Sequence, residues 1–571
     1  MPPPRRALPW RRPATLAVLM LLLAGALLAG IGMRDPQPAD EPRFVLAARD
    51  MLASGQWLLP HRGSELYSDK PPVFMWMLAA AQALTGDWRS GFLLPSWLAA
   101  LLTLWLSADL ARRLWTPRAG LYAALSLFAC LQFGLQAKRA QIDMVLVAMT
   151  TASLWALLQY LLLRRDWRLL LLGCFAAGLG TVTKGVGFLP LLVFLPWLAV
   201  HRPSAALLPQ AGRTGGHVLA GVAGFLLGVG LWLGPLLWTL SSHDDPALRA
   251  YASDILLRQT GTRYAKAWHH LKPAWYYLQV IATLWLPGAL LLPWLLPAWW
   301  RRLRRRDPRW VLLLGWSLLV LLFFSASPGK RDVYILPALP ALCIAAAPLL
   351  PGLLHRRGVR LVLLTWLAAL ALATLTIGLQ AWLAPPGWLL EVAARRNLDL
   401  DTLARIGRWL AALGAVVAGC ALLLGLRRIG LATVLATAAL WTVHGLGLMP
   451  AVDEDSSGRA IMQEAGRRIG PHAQLGLLGW REQHLLQADR EVVVFGFHRP
   501  WEAQWHDARD WLAQAPDRRW LFVLEDALGP CVDRDRAQRL GVSSRRNWWL
   551  VPATAVRVDC RGVMPGEPSD E

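Results

Sequence analysis

The sequence predicts an all-α polytopic membrane protein with a small α/β domain at its C-terminus. Three observations lead to this fold class. The chain of 571 residues is 55% hydrophobic, only 17% of its residues are charged, and apolar stretches recur until about Met449. An apolar stretch of about 20 residues crosses a hydrocarbon layer of about 30 Å as a helix. One soluble core could not bury this much apolar surface, so most segments are expected to face lipid.

Thirteen apolar segments are expected to cross the membrane. The first follows basic residues, as in a signal peptide, but its apolar stretch is longer than in one, so we interpret it as an uncleaved span. Val73–Thr85 holds about 13 residues, too few to span comfortably, and is interpreted as an interfacial or re-entrant helix. The predicted spans cover residues 14–33, 91–111, 119–137, 142–163, 167–183, 185–200, 217–240, 277–299, 310–327, 333–354, 359–384, 406–426 and 429–449.

Arginine clusters in the short connectors set the predicted orientation. Such clusters stay in the cytoplasm, and they all fall on that side if the N-terminus is cytoplasmic and thirteen crossings follow. The C-terminal tail then lies outside. The connectors also hold most of the basic excess behind the net charge of +22, so no nucleic-acid partner is expected. The clusters are Arg112/Arg113/Arg118, Arg164/Arg165/Arg168, residues 301–309, Arg356/Arg357/Arg360 and Arg427/Arg428.

The first outer loop, residues 34–90, contains charges that the orientation leaves outside the cytoplasm. Asp40 and Glu41 follow the first span, with Arg43 close behind and Lys70 later in the loop. An acid at this position can cap the start of a helix. Alternatively, one carboxylate accepts a proton from an acceptor hydroxyl or amine while the other orients it. Lys70 can anchor the loop at the membrane surface or hold a lipid phosphate.

Two further charges stand at the ends of predicted spans. Asp143 opens a span after a basic stretch, where it can be a helix cap or a second catalytic acid. Lys184 interrupts an apolar run of about 33 residues within Thr183-Lys184-Gly185. A lysine at such a place is costly without an anionic partner, so we expect a functional role for Lys184.

The connector at residues 327–334 places Lys330 and Arg331 side by side. Two adjacent cations suit phosphate recognition, and a solvated turn is the alternative. His269 and His270 are also adjacent, but neighbouring side chains diverge on a helix and no third ligand is close in sequence. No metal site or other cofactor is therefore predicted, and a divalent cation stays an open alternative that no motif supports.

The outer-face charges suit group transfer from a lipid-phosphate donor, because a phosphate leaving group needs cations and an acceptor needs a base. The sequence has no P-loop, and no Gly-rich dinucleotide motif follows a strand. A lipid or glycolipid transporter would also need charges within a helical bundle, but the two halves show no internal repeat. The missing repeat disfavours a transporter, but a lipid flippase is still the main alternative to an enzyme. A non-catalytic partner protein is the second alternative.

A series of short motifs in roughly the first 350 residues points to a known family. They are Asp40-Glu41-x-Arg43, the stretch at residues 51–61, Lys70-Pro71, Thr183-Lys184-Gly185, residues 272–278 (Lys-Pro-Ala-Trp-Tyr-Tyr-Leu) and Tyr334-Ile335-Leu336-Pro337. Their order resembles bacterial GT-C glycosyltransferases of the dolichyl-phosphate-mannose protein mannosyltransferase superfamily, and most of all the lipid A aminoarabinose transferases. Asp69 and Pro72-Val73-Phe74 differ from the pattern of those transferases, which leaves the acceptor and the aminosugar open.

The resemblance implies an inverting GT-C transferase in the bacterial inner membrane, with a cytoplasmic N-terminus, a periplasmic active site and a periplasmic C-terminal domain. It would move a sugar, such as 4-amino-4-deoxy-L-arabinose, from a polyprenyl-phosphate donor to lipid A or another lipid or glycan acceptor among the membrane lipids. Asp40, Glu41 and Asp143 would lie at the reaction centre. The predicted donor-phosphate site comprises Arg43, Lys70, Lys184, Arg258, Lys330, Arg331 and Tyr334.

The tail after Pro450 differs from the rest of the chain. We expect a transmembrane domain at residues 1–450 and a soluble domain at residues 451–571, with a role in acceptor recognition or as a lid over the site. Cys531 and Cys560 could form a disulfide there. Strands are predicted at residues 475–479, 491–495, 520–524 and 547–558, and helices at residues 459–469, 502–515 and 534–540.

Overall fold

A computed structural model describes residues 13–200, 214–256, 271–396 and 398–557. The chain is mainly helical, and one continuous apolar core runs through the helical bundle. The helices of the first half are α1 Pro13–Leu28, α2 Glu41–Ser54, α3 Val73–Thr85, α4 Trp88–Gly91, α5 Leu94–Leu114, α6 Pro117–Ala129, α7 Leu131–Ala137, α8 Ile142–Leu162, α9 Trp167–Lys184, α10 Phe194–Val200, α11 Thr214–Ser242 and α12 Pro246–Ser253.

The second half continues the bundle and ends in a mixed region. Its helices are α13 Tyr276–Leu284, α14 Leu292–Arg304, α15 Pro308–Ala326, α16 Ala338–Ala346, α17 Leu350–Leu353, α18 Arg357–Leu383, α19 Gly387–Arg395, α20 Leu400–Leu424, α21 Ile429–Val443, α22 Met449–Ala451, α23 Asp453–Ser456, α24 Arg459–Ile469, α25 Glu482–Leu486 and α26 Trp501–Gln514. Short 3₁₀ or π turns occur at Leu189–Val193, Gly288–Leu291, Asp332–Ile335, Leu426–Arg428, His444–Leu448, Glu525–Ala527 and Ala553–Ala555.

The predicted class of polytopic helical protein is confirmed, and each predicted span coincides with a helical segment. Within the described ranges, seven helices are long and apolar enough to cross a membrane, or up to nine if two bent pairs each count as one span. The bent pairs are α6 with α7, at 74°, and the segment from Tyr276 to Arg304, at 101°. The count of thirteen crossings stays a prediction.

The first outer loop folds into α2, the short antiparallel pair β1 His61–Arg62 and β2 Glu65–Leu66, and α3. At about 1.5 Å per residue, the 13 residues of α3 reach about 20 Å, which is short of a full crossing. Phe44 of α2 meets Phe74 of α3 edge to face, with ring centroids 5.2 Å apart. This packing fixes the start of α2, and with it Asp40, against the bundle.

The break predicted at Thr183-Lys184-Gly185 is present. Helix α9 ends at Lys184, and Gly185 follows in the left-handed region with a φ of 77°, which glycine adopts without a steric penalty. Two residues on, a Cβ at Gly187 would lie 1.9 Å from the Gly180 carbonyl carbon. The glycines therefore let the chain fold back tightly, which holds Lys184 at the helix end.

The C-terminal region contains a five-stranded sheet in the order β4-β3-β5-β7-β6. Strand β3 runs parallel to β4 and β5, whereas β7 is antiparallel to β5 and β6. The helix predicted at residues 534–540 is wrong, because residues from Gln538 onward form a hairpin with β7 whose pairing outweighs local helix preference. The strands are β3 Gln474–Leu478, β4 Val492–Val494, β5 Arg519–Leu524, β6 Gln538–Ser543 and β7 Arg546–Pro552.

This region packs directly on the first outer loop. Buried Glu482, in the first turn of α25, accepts from Arg43 Nε at 3.0 Å and from Arg62 Nη1 at 3.2 Å. Asp453 accepts from the Asp35 backbone N–H at 2.9 Å. Leu46 of α2 also belongs to the apolar core of the sheet. The division at residue 450 stays a prediction, because helical structure continues across it.

Candidate active site

Asp40 lies at the start of α2 but does not cap it, since its side chain makes no capping hydrogen bond. Its Oδ2 atom instead accepts from Arg331 Nη2 and from Gln141 Nε2, each at 2.9 Å. Its other oxygen, Oδ1, has no hydrogen bond to the part of the chain that the structure describes. The side chain is 15% exposed. Asp40 is therefore held through one oxygen while the other stays open to a reacting group.

The charges around Asp40 favour its ionised form. Burial opposes ionisation, but the Arg331 charge and hydrogen bond outweigh it, and Arg43 and Lys184 add to them. Together they hold the pKa of the carboxyl below its usual value. An ionised carboxylate with one unengaged oxygen can accept a proton from a nucleophile.

Asp143 and Lys184 form an ion pair beside this group. Asp143 lies in the first turn of α8 and is 5% exposed, and its Oδ1 contacts Lys184 Nζ directly. The Lys184 ammonium also lies 5.2 Å from the centre of the Tyr334 ring. The fold thus brings together Asp40, Asp143, Lys184, Arg331 and Tyr334, which the sequence places up to 294 positions apart.

Glu41 serves a different purpose from its neighbour. Both of its oxygens are engaged by the Arg34 guanidinium, at 2.5 and 2.7 Å. They also accept from the backbone N–H groups of Gln37 and Ala140, each at 2.9 Å. A buried carboxylate with four donors has no free position for a substrate proton. The geometry therefore favours a structural role for Glu41 over the predicted catalytic one.

The remaining predicted donor cations fall into three groups. Buried Lys330 donates to the backbone carbonyls of Ser327, at 2.6 Å, and Lys272, at 3.2 Å, which favours a structural role. Arg43 is bound by Glu482, and Lys70 donates to the Asp69 carbonyl at 2.8 Å. Arg258 lies outside the described residues.

Three residues of the site were not predicted from the sequence. Gln141 holds Asp40, and its position two residues before Asp143 was an available signal. Arg34 binds Glu41, and its position as the first charged residue after α1 was a second available signal. Glu482 lies 439 residues from the Arg43 that it binds, and no local pattern marks it.

No cluster of three or more metal-ligating side chains occurs within the described ranges. His269 and His270 lie outside those ranges. Of the cysteines in the tail, Cys531 is disulfide-bonded, and Cys560 falls outside the described residues.

The fold and these charges define a class of protein, namely multi-pass membrane proteins with the GT-C glycosyltransferase fold. ArnT from Cupriavidus metallidurans, solved bound to undecaprenyl phosphate, matches with a TM-score of 0.72. The match covers 95% of this chain and 99% of that chain at 21% identity, which shows a shared fold. The predicted GT-C fold is thereby confirmed.

Sequence comparisons then show which glycosyltransferases the chain resembles. A family model for dolichyl-phosphate-mannose-protein mannosyltransferases matches residues 69–228. An undecaprenyl phosphate-aminoarabinose arabinosyl transferase from Pseudomonas fluorescens is 33% identical over 57% of this chain, and one from Pseudomonas aeruginosa is 35% identical over 53%. The matches span 58% and 54% of those relatives' own lengths. The resemblance to this glycosyltransferase superfamily is confirmed.

Proposed function

We propose that the protein transfers a sugar from a polyprenyl-phosphate donor to a lipid or glycan acceptor on the periplasmic face of the bacterial inner membrane. The single observation that carries this proposal is Asp40, which is ionised, fixed through Oδ2 and open at Oδ1. The names of the relatives favour undecaprenyl phosphate as the carrier and 4-amino-4-deoxy-L-arabinose as the sugar. Lipid A is the acceptor that the sequence resemblance implies.

The chemistry is a direct displacement at the anomeric carbon. The acceptor oxygen forms the new bond to that carbon while the bond to the donor phosphate oxygen breaks, so the configuration is inverted. The carboxylate of Asp40 accepts the acceptor's proton, and the polyprenyl phosphate departs with the bonding electron pair. Arg331 and Lys184 lie where they would stabilise the negative charge that develops on this leaving group.

Asp143 has a positioning role in this scheme. Its contact with Lys184 holds the ammonium at the end of α9, beside Tyr334 and within electrostatic range of Asp40. Arg331 responds to both acids, since Asp40 and Asp143 each raise its pKa although burial lowers it. A donor phosphate that binds between these side chains would contact two cations, Arg331 and Lys184, which Asp40 and Asp143 already hold in place.

A reconstituted transfer assay tests the proposal. The full-length protein in phospholipid nanodiscs is incubated with undecaprenyl-phosphate aminoarabinose and lipid A, and mass spectrometry follows the lipid A product and the released undecaprenyl phosphate. Equal amounts of both products are expected, and none in samples that lack donor or protein. Intact donor after incubation with lipid A and other envelope lipids and glycans would contradict the proposal.

A further inference from the structure

The C-terminal region reaches toward the candidate active site through one buried carboxylate. Glu482 begins α25 and is 4% exposed, and its Oε1 atom accepts from Arg43 Nε at 3.0 Å and from Arg62 Nη1 at 3.2 Å. Both arginines belong to the first outer loop, and Arg43 stands three residues after Asp40. A glutamate of the C-terminal region therefore contacts the helix at whose start the proposed base lies.

The two arginines that share this oxygen are held to different degrees. Arg62 is 3% exposed, its guanidinium lies 3.7 Å from the centre of the Phe497 ring, and it contacts His498. The Arg43 side chain is 30% exposed, and it bonds to Glu482 through Nε alone. Its two terminal nitrogens, Nη1 and Nη2, have no hydrogen bond to any described residue. Arg43 is thus fixed through one nitrogen and open at the other two.

The Arg43 guanidinium lies among the charges of the candidate active site. Burial lowers its pKa, but the surrounding side chains raise the pKa above its usual value, namely Tyr67, Glu482, Asp40 and Asp69. Arg43 is in turn one of the cations that hold the pKa of Asp40 down. The guanidinium is therefore within electrostatic range of the proposed base while the C-terminal region holds it.

The backbone that carries Arg43 is held from both sides. Phe44 of α2 belongs to the apolar core of the bundle, and Leu46 of the same helix belongs to the core of the C-terminal region. A long arginine side chain on a fixed backbone still has many rotamers. The bond from Arg43 Nε to Glu482 selects one of them, so Glu482 decides where the open end of the guanidinium lies.

We propose that Glu482 is a positioning residue, which holds Arg43 through Nε so that its two terminal nitrogens bind the phosphate of a lipid substrate. This inference rests on the proposed function, in which the polyprenyl-phosphate donor, and lipid A as the acceptor, carry phosphate groups. A guanidinium binds a phosphate through two parallel N–H bonds, and one that is already fixed loses less entropy on binding. The C-terminal region then contributes to substrate binding through Arg43 without touching the substrate.

The alternative is that Glu482 only attaches the C-terminal region to the first outer loop. Arg62 is sufficient for that purpose, because it is buried and stacked on Phe497. Arg43 has five N–H donors and gives only its Nε–H to Glu482. The donors that remain suit an anion that is not part of the chain. The two roles predict different results when Glu482 is changed.

Two single variants and their combination separate positioning from attachment. Glu482→Gln removes the charge that holds Arg43 and keeps the size of the side chain. Arg43→Met removes the phosphate-binding group and leaves Glu482 paired with buried Arg62. The double variant shows whether the two residues act through each other. Glu482→Asp is the second variant if Glu482→Gln does not fold, because it keeps the charge that Arg62 needs but is one methylene too short to hold both arginines in place.

The chain offers a matched control at the same joint. Buried Asp453 also connects the C-terminal region to the first outer loop, since it accepts from the Asp35 backbone N–H at 2.9 Å and from Arg89 Nη2 at 3.2 Å. Neither of these bonds involves Arg43. Asp453→Asn therefore weakens the attachment and leaves the proposed phosphate-binding group in place.

The readout is lipid binding by the purified full-length protein in detergent micelles, followed by native mass spectrometry without any sugar donor. Undecaprenyl phosphate and bis-phosphorylated lipid A are titrated separately, because the first carries the donor's phosphate and the second the acceptor's. We expect Glu482→Gln and Arg43→Met to raise the apparent Kd of the same lipid at least fivefold, and Glu482→Asp to raise it two- to fivefold. The lipid that is affected identifies the phosphate that Arg43 binds.

The double variant and the control complete the expected result. Glu482→Gln combined with Arg43→Met should match Arg43→Met alone within twofold, because Glu482 acts through Arg43. Asp453→Asn should bind both lipids within twofold of wild type, although its unfolding temperature falls.

Other outcomes overturn the inference. Wild-type affinity for both lipids in the Glu482 variants, or no saturable binding of either lipid by wild type, would show that Glu482 positions no phosphate-binding group. A double variant much weaker than Arg43→Met would show that Glu482 does not act through Arg43. An equal loss in Asp453→Asn would leave Glu482 with attachment alone. Because no sugar is present, these outcomes are separate from a failure of transfer, which would contradict the proposed function.

Discussion

The acids of this protein fall into two regions that use the same residue types differently. In the first outer loop, Glu41 accepts from four donors through both of its oxygens, and Glu482 of the C-terminal region binds two arginines of that loop through Oε1. In the candidate active site, Asp40 is bound through one oxygen only, and Asp143 pairs with a single lysine. The Glu41 carboxylate, with both oxygens engaged, holds the architecture together, whereas the Asp40 carboxylate keeps one oxygen available for chemistry.

The comparison matters because Asp40 and Glu41 are neighbours in sequence. At the start of α2 their side chains point in different directions. Glu41 therefore pairs with Arg34, whereas Asp40 pairs with Arg331. Substitutions of equal size at the two positions should therefore fail in different ways. The Asp40 variant should lose turnover, and the Glu41 variant should lose stability.

Replacing Asp40 by Asn should have the largest effect on turnover. The variant keeps the size of the side chain but removes the proton acceptor, so we expect kcat to fall by about 10²–10⁴-fold. The unfolding temperature should stay close to that of wild type, because the side chain is held by only two hydrogen bonds. Turnover of purified, folded protein measures this, and wild-type kcat in Asp40→Asn would exclude the catalytic assignment.

Replacing Glu41 by Gln should instead reduce stability. The change leaves the buried Arg34 guanidinium without its counter-charge, which typically costs about 3–5 kcal/mol. Thermal unfolding in matched detergent measures this loss, and the kcat of the fraction that stays folded should change by less than about tenfold. A stable but inactive Glu41→Gln protein would reverse the roles assigned to the two acids.

The Asp143–Lys184 pair allows a sharper version of the comparison. Asp143→Asn and Lys184→Met should each destabilise the protein, because each leaves one buried charge unpaired. The double variant should regain about 0.5–3 kcal/mol relative to the sum of the single changes. It should nevertheless stay inactive, because the donor phosphate has lost a cation. A double variant that regains transfer would make the pair purely structural.

The sequence supported much of the fold but less of the site. Apolar length predicted the helices, and Thr183-Lys184-Gly185 predicted the break that ends α9 at Lys184, because both are local properties of the chain. The saturation of Glu41 and the contact of Glu482 with Arg43 depend on partners up to 439 residues away. The helix predicted at residues 534–540 failed for a different reason, since residues from Gln538 onward pair with the neighbouring strand β7 in a hairpin.

Arg331→Gln should change the pH dependence of transfer. Asp40 must be ionised to accept a proton, and Arg331 is the main group that holds its pKa down against burial. Without Arg331, burial raises the pKa, so activity at the acidic end should be lost at a higher pH than in wild type. The acidic limb of kcat/KM against pH measures this. An unshifted limb would show that Asp40 does not control it.

Lys330→Met should have the smallest effect, although Lys330 is the direct neighbour of Arg331. Its ammonium donates to the backbone carbonyls of Ser327 and Lys272 and forms no ion pair with a described acid, so its loss should cost about 1–3 kcal/mol of stability and leave donor KM within about twofold. Arg331→Gln is the matched comparison, and it should raise donor KM at least tenfold. If Lys330→Met raised donor KM as strongly as Arg331→Gln, contact with Asp40 would not decide which cations bind the donor. Location in the connector at residues 327–334 would then be sufficient.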